Sequence, residues 1–370
     1  TLSGTGTVDG RLANRAVASI GGTVTDLANL AGGTLTTAAD LSVTDFRNDG
    51  IATVAPDTTL TVANTAVNGP TGQLTVTGRL AGGLTNDGRL SGTGEITGPV
   101  TNSATGVTRW TGRMADSFTN HGQASLSGTV AGELRNEDGG RLTTTGNLAA
   151  TGPYGVTNAS GGIMTVASGS VFRVANGLSN EAGAGLTLTG ELVGTVTNDG
   201  TMRQTGLLTG SLTTSGSADL DGTITGHLVY RGGSLLTGSA FRVDGDFRLA
   251  EDYSIAAGRQ INAARTVVIA GSTLDLQGRL LGTMLNDGRV NVRGSTARVD
   301  GLVTNNRMIS LSDGSGRIDT LTVGGLTGSG TYALDVNTRD STADRIVIDG
   351  GAATGTYTLE LNFLYPNEIL

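Results

Sequence analysis

Few side chains in this 370-residue chain are equipped for chemistry. There is no cysteine, which excludes disulfides and thiolate metal sites. Every one of the 24 basic residues is an arginine, which removes Schiff-base chemistry and lysine isopeptide crosslinks. The two histidines are His121, with Asp116 nearby, and His227, with Asp219 and Asp221 nearby. A histidine triad or metal site would need such partners to converge on one ring. Asp219 and Asp221 stand two apart, the spacing that turns both carboxylates to one face of a strand, and paired carboxylates hydrolyse glycosides. Asp244 and Asp246 repeat that spacing. Asp313 and Asp319 are candidate calcium ligands. Trp110, between Arg109 and Arg113, has the setting of a sugar-stacking aromatic.

What these residues can do depends on the elements that carry them, and those repeat. Asparagine recurs at Asn86, Asn102, Asn120, Asn136, Asn158, Asn180 and Asn198, with spacings of 16, 18, 16, 22, 22 and 18, and again at Asn286 and Asn305. Periods of this size mean a solenoid of stacked supersecondary units. From Leu84 the even positions run Leu, Asn86, Gly88, Leu90, Gly92, Gly94, Ile96, Gly98, Val100, Asn102, while the odd positions are mostly threonine and charged residues. Period-2 alternation is the mark of strands with one buried and one wet face. It persists to about Ala240, with outward apolar exceptions at Val107, Ile163, Val193, Leu207 and Val229. Even spacings return each turn to the same face. The expected fold is therefore all-β: a right-handed parallel β-helix of roughly 16–22-residue coils over residues 1–320.

At about 4.8 Å per coil the shaft would extend on the order of 90 Å. Inward asparagines must be paired, and a side-chain ladder between coils is the expected solution. Asn-Asp-Gly at 48–50, 86–88, 198–200 and 286–288 is expected to supply the positive φ of the corners. The looser units before Asp45 predict bulges. A change of phase at Phe241 and the missing corner motif from Glu251 to Arg265 predict an irregular coil or protruding loop. Another slip is expected at Val299.

Parity also weighs the candidates. Both histidines fall on the wet face and read as surface residues. Asp219 and Asp221 read as a solvated acidic patch, because pectin-cleaving β-helices also carry a Gly-His-Gly turn and an Arg-Ile-Lys strand, and neither is present. Asp244 and Asp246 lie on the buried parity, but the phase change at Phe241 is expected to turn them outward. Ser312-Asp-Gly-Ser-Gly316 has the wrong order for a Gly-Asp-Ser-Gly nucleophile and reads as a turn. The Gly-Gly-x-Gly-x-Asp nonapeptide of calcium-loaded β-rolls does not recur. Trp110 is expected inward beside Phe118, with Arg109 and Arg113 outward. No catalytic, cofactor-binding or metal-binding residue is assigned. The threonines before the corner asparagines, Thr85, Thr101, Thr119, Thr157 and Thr197, should stack into an outward ladder interrupted by Arg135 and Ser179. Such arrays occur in ice-binding β-helices, and the Thr/Ser density also suits glycosylation.

Net charge −8 and pI ≈ 4.8 argue against nucleic acid and anionic membrane as partners. No apolar run reaches membrane-spanning length, and Thr1 opens mid-pattern, so a longer precursor is expected. An acidic, cysteine-free, Thr/Gly-rich β-solenoid suits a protein that crosses a bacterial envelope unfolded.

The last segment has its own character: Gly325-Leu-Thr-Gly-Ser-Gly330, Tyr332-Ala-Leu-Asp-Val336 and Ala343-Asp-Arg-Ile-Val-Ile-Asp-Gly-Gly351. Over about 321–363 it resembles the C-terminal passenger module of pertactin-like bacterial autotransporters (type V secretion). The resemblance implies a capping module over 321–370 that nucleates folding during export, followed in that family by a linker helix and a membrane β-barrel. It also implies a bacterial cell-surface or extracellular location, with tethering by a β-barrel absent from this chain. The function expected on this basis is non-enzymatic: an adhesin or display scaffold meeting host-cell or matrix molecules through multivalent contacts. A self-associating structural or biofilm protein is the alternative, and a polysaccharide-cleaving β-helix enzyme a more distant one.

Overall fold

The computed structural model describes residues 1–366; residues 367–370 of the expected C-terminal module lie outside the described residues. The chain is a parallel β-solenoid of about 17 turns, 62% strand, without helix among the described residues. No helix there is long and apolar enough to cross a membrane. It divides into two compact units, Thr1–Leu207 and Leu208–Leu370.

The first unit opens with three long strands, β1 (Leu2–Asn14), β2 (Val17–Asn29) and β3 (Thr34–Asn48). These stack in parallel register, Asn14 on Asn29 on Asn48. Bulges between Val8 and Arg11, Ile20 and Gly22, and Val43 and Arg47 are the expected phase slips. Shorter strands follow, and their alternation packs one apolar column: Leu84, Val100, Phe118, Leu134, Val156, Leu178 and Val196 lie in direct register. All are buried. Each such side chain removed from water contributes about 1.5–3 kcal/mol. Trp110 and Phe118 are buried as expected, while Arg109 and Arg113 are exposed. The apolar exceptions Val107, Ile163 and Val193 stay outward.

The asparagines form the expected ladder. From Asn14 through Asn29, Asn48, Asn68, Asn86, Asn102, Asn120, Asn136, Asn158 and Asn180 to Asn198, each amide donates to the next side-chain carbonyl at 2.7–2.8 Å. The second N–H commonly reaches a backbone carbonyl of the next coil, as from Asn68 to Arg89 O at 3.0 Å and from Asn180 to Thr201 O at 3.0 Å. All bonds run one way, so the amide dipoles align and polarise one another.

The corner glycines need a correction. Gly50, Gly88, Gly200 and Gly288 are absent from the positive-φ residues. A Cβ on Gly88 would instead land on the carbonyl oxygens of Gly72 and Gly69 in the coil below. Close approach of backbones, not φ, requires glycine there.

In the second unit one register column carries Thr214, Tyr230, Leu249, Val268, Asn286, Asn305 and Gly328. Within it the Asn286 amide donates to Asn305 Oδ1 at 2.8 Å. β4 (Ser217–Leu220), β5 (Leu235–Thr237) and β6 (Arg242–Leu249) precede β7 (Tyr253–Ile255), β8 (Ala263–Val268) and β9 (Thr273–Leu276). The stretch expected as an irregular coil or protruding loop carries β7 and the start of β8, and among the described residues β7 pairs with β9 but with no strand of the preceding coil. Bulges between Val243 and Asp246 and between Val299 and Leu302 account for the two later slips.

From Thr320 the chain continues as stacked coils. β10 (Ala297–Asn305) carries β12 (Thr320–Gly328), which carries β14 (Arg345–Ile348). β11 (Met308–Ser310) carries β13 (Thr331–Asn337), which carries β15 (Thr358–Leu364). A short antiparallel strand, Thr342–Ala343, folds back on β13.

Candidate functional site

The residues that sequence alone marks for chemistry do not converge. His121 is half-buried on the outer face. His227 is exposed, and its neighbour is not Asp219 or Asp221: its Nδ1 accepts the Asp246 backbone N–H at 2.9 Å and lies 3.8 Å from Asp246 Oδ2. Asp219 sits on β4, exposed. Asp221, just past the end of β4, accepts the Ala240 N–H at 2.8 Å, a link to the next coil. Asp313 accepts the N–H of Ser315 at 2.8 Å inside its own turn.

Asp246 is not outward, as the phase change suggested, but buried; Asp244 is exposed. The bulge after Val243 turns Asp246 against Arg265 and Arg248, whose guanidinium groups donate at 2.9 and 2.8 Å. The hydrogen bond from Arg265 first, then that from Arg248, holds its carboxyl below the usual range against the opposing effect of burial. Both carboxylate oxygens are engaged, Oδ1 by Arg265 and Oδ2 by Arg248 and Arg265.

A second acidic group appears only in three dimensions. Asp319, Asp335 and Asp344 are buried together where β12, β13 and the start of β14 meet. Asp344 accepts the N–H groups of Asp319 and Asp335, both at 2.8 Å. Asp335 accepts from Ser312 Oγ at 2.6 Å, the N–H groups of Asp313 and Gly314 at 3.1 and 2.7 Å, and Asn362 Nδ2 at 2.8 Å. Burial works to raise the Asp335 carboxyl, but these four donors together hold it low. Asp319 has one oxygen on the Gly294 N–H at 2.6 Å and the other, Oδ2, buried without a partner. Among the described residues no group of three or more histidine or acidic side chains is arranged to hold a metal ion. The one sequence signal for this cluster was Asp335 sharing the inward parity of Ala333 and Asn337.

Burial first, then the charges of Asp313, Asp344 and Asp335, push Asp319 up; burial likewise pushes Asp344 up. A carboxylate raised in the fold contributes stability that is present below its unfolded value and lost as pH rises through its folded value. Asp319→Asn, which keeps the acceptor for Gly294 and removes the charge, is therefore expected to stabilise the protein by about 1–2 kcal/mol at pH 7. The gain should shrink toward about pH 4, near the unfolded carboxyl value. Thermal melts at the two pH values check it; an unchanged or lower midpoint at pH 7 would contradict the placement of a charge there.

The outward column does form. Thr85, Thr101, Thr119, Arg135, Thr157, Ser179 and Thr197 stack in direct register on one face of the first unit. Thr197 is exposed and the others are half-buried. Arg135, as expected, interrupts the hydroxyls and is tied to Glu137 at 2.7 Å and Glu133 at 3.2 Å. No family model matches the chain, and no curated protein matches it.

Proposed function

We propose that this chain belongs to an autotransporter passenger displayed at a bacterial cell surface, where its solenoid faces act as an adhesive or display scaffold. The observation that carries this reading is the in-register outward column from Thr85 to Thr197. Stacked coils repeat the same hydroxyl every ~4.8 Å, and a repeated weak contact gains strength by multivalency. Asp221 and Asp313 accept backbone N–H groups and Asp246 is held by two arginines, so these candidate acids do not share a reaction centre, which favours a binding role over hydrolysis. In the same reading the coils from Thr320 onward nucleate folding of the stack, as the resemblance to pertactin-like passengers implies. Anchorage would come from a β-barrel outside this chain.

The test is adhesion of beads coated with the purified chain to epithelial cells and to fibronectin and collagen films. A triple variant, Thr101→Glu, Thr119→Glu and Thr157→Glu, changes outward side chains alone. Its adhesion is expected to fall by tenfold or more, the scale of lost avidity. Equal adhesion of variant and parent would sink the reading. Bead clumping without surface adhesion would favour the self-associating alternative.

A further inference from the structure

The charged side chains of the first unit are unevenly shared among its faces. The strand that follows each ladder asparagine stacks in parallel register from Ile51–Val54 to Thr201–Gln204. Each turns two side chains outward there, so the sheet shows two outward columns. They contain Arg89, Arg109, Arg141 and Arg203 and no acidic residue, in a chain whose net charge is −8. Arg203 is engaged, whereas Arg89, Arg109 and Arg141 are exposed and have no side-chain partner among the described residues. On other faces of these coils Arg79 and Arg113 share Glu95, and Arg135 is held by Glu133 and Glu137. Asp87 and Asp138, at the corner before these strands, form no ion pair with the three.

Register places the three guanidinium groups. Arg89 lies in one column with Val107, Gln123 and Arg141, three coil steps or ~14 Å from end to end. Arg109 stands in the neighbouring column, one step after Ser91 and one before Ser125. That column is otherwise hydroxyl-bearing around it: Thr75 pairs Ser91 on one side, and Ser125 pairs Thr143 on the other. Thr75 Oγ1 and Ser91 Oγ are 3.3 Å apart. A shallow trough of about 120 Å³ opens here, its lining including Gln73, Thr75, Arg89, Ser91, Val107 and Arg109.

Unpaired guanidinium groups call for anions, and each presents a fork of N–H donors that matches an oxyanion. Repulsion from the net negative protein is screened beyond about 8 Å at physiological salt, so the local face governs contact. The strip is two outward positions wide, ~7 Å, and runs along the stack. It therefore fits one extended polymer rather than a lipid surface or a duplex. Its strands are paired on both sides, so it offers side chains and no free backbone edge for an extended peptide. The hydroxyls around Arg109 suit a hydroxyl-bearing sugar chain instead. Arg89 and Arg109 stand one coil step apart, ~4.8 Å along the stack, which asks for closely spaced anionic groups. Several sulfates on one disaccharide supply them.

We propose that this face of the first unit binds a linear sulfated polysaccharide laid along the stack. Its sulfates sit on Arg89, Arg109 and Arg141, and its sugar hydroxyls meet the serine and threonine column. The surface shares no residue with the column from Thr85 to Thr197, so it goes beyond the adhesive reading and is tested separately.

The experiment titrates the whole chain with a heparin dodecasaccharide, followed by calorimetry and by NMR of the arginine Nε–H groups. Saturable binding is expected, weakening as salt rises, with shifts at Arg89, Arg109 and Arg141. The triple variant Arg89→Gln, Arg109→Gln and Arg141→Gln should bind about tenfold weaker or more. A charge-matched control, Arg15→Gln, Arg173→Gln and Arg231→Gln, removes three exposed arginines that lie off this face. It should lose less than about twofold, since charges farther than a Debye length are screened. Fully desulfated heparin leaves the protein unaltered and should also bind about tenfold weaker or more, so the test stands even where the triple variant disturbs the coils. No saturable binding, or an equal loss in the control variant, would overturn the proposal. Equally strong binding to phosphatidylglycerol vesicles, to oligodeoxythymidylate or to polyglutamate would overturn the assignment to a polysaccharide.

Discussion

Replacing Asn102 by leucine is expected to destabilise the protein by about 3–5 kcal/mol, although the two side chains are close in size. Asn102 accepts from Asn86 Nδ2 at 2.8 Å and from Thr108 Oγ1 at 2.9 Å, and donates to Asn120 Oδ1 at 2.7 Å. All four side chains are fully buried, so none of the orphaned groups can turn to water. Each orphan costs ~1–3 kcal/mol, and the aligned ladder loses its mutual polarisation at the same point. Thr101→Ala, one residue away on the outer face, should change stability by less than about 0.5 kcal/mol. Urea unfolding of the two variants against the parent provides the comparison. Similar midpoints for both would mean that the ladder is decoration and that the apolar columns alone hold the stack.

The second large effect is expected at a corner. Gly88→Ala should cost about 1–3 kcal/mol or more, because its Cβ would meet the Gly72 and Gly69 carbonyl oxygens of the coil below. The informative partner is Gly88→Asn. Asparagine tolerates positive φ better than other side chains, so a corner that needed only that conformation would accept it. At Gly88 the backbone is not in that region, and asparagine should be at least as harmful as alanine. Thermal melts of the two variants decide the matter; rescue by asparagine would reinstate the conformational explanation.

That corner shows where reading the residues reaches its limit. Alternation and even spacing identified strands, faces and the ladder from Asn86 onward, because a period-2 pattern records directly which side chains share a side. The first rungs were harder to see. Asn14, Asn29 and Asn48 have odd spacings, and bulges near Val8, Ile20 and Val43 absorb the extra residues without moving the register. The same device misled at Asp246, where the bulge after Val243 reversed the face. Glycine in Asn-Asp-Gly suggests conformational freedom as readily as close packing, and only the coil beneath Gly88 separates the two.

The acidic cluster was out of reach for another reason. Asp319, Asp335 and Asp344 meet through stacking, not through any local spacing. The irregular coil from Glu251 to Arg265 was legible by contrast, because its missing corner motif marks it, and β7 there pairs with β9 but with no strand of the preceding coil among the described residues.

The central claim is that the asparagines of the first unit form one directional hydrogen-bonded column inside stacked parallel coils. Triple-resonance NMR of the isotope-labelled chain tests it directly, through couplings across the side-chain hydrogen bonds. A coupling is expected from the Nδ2 of each asparagine to the Cγ of the next, in the order 14, 29, 48, 68, 86, 102, 120, 136, 158, 180, 198, with side-chain amide protons slow to exchange. Side-chain amides that exchange freely with water, with no coupling from one asparagine to the next, would contradict it.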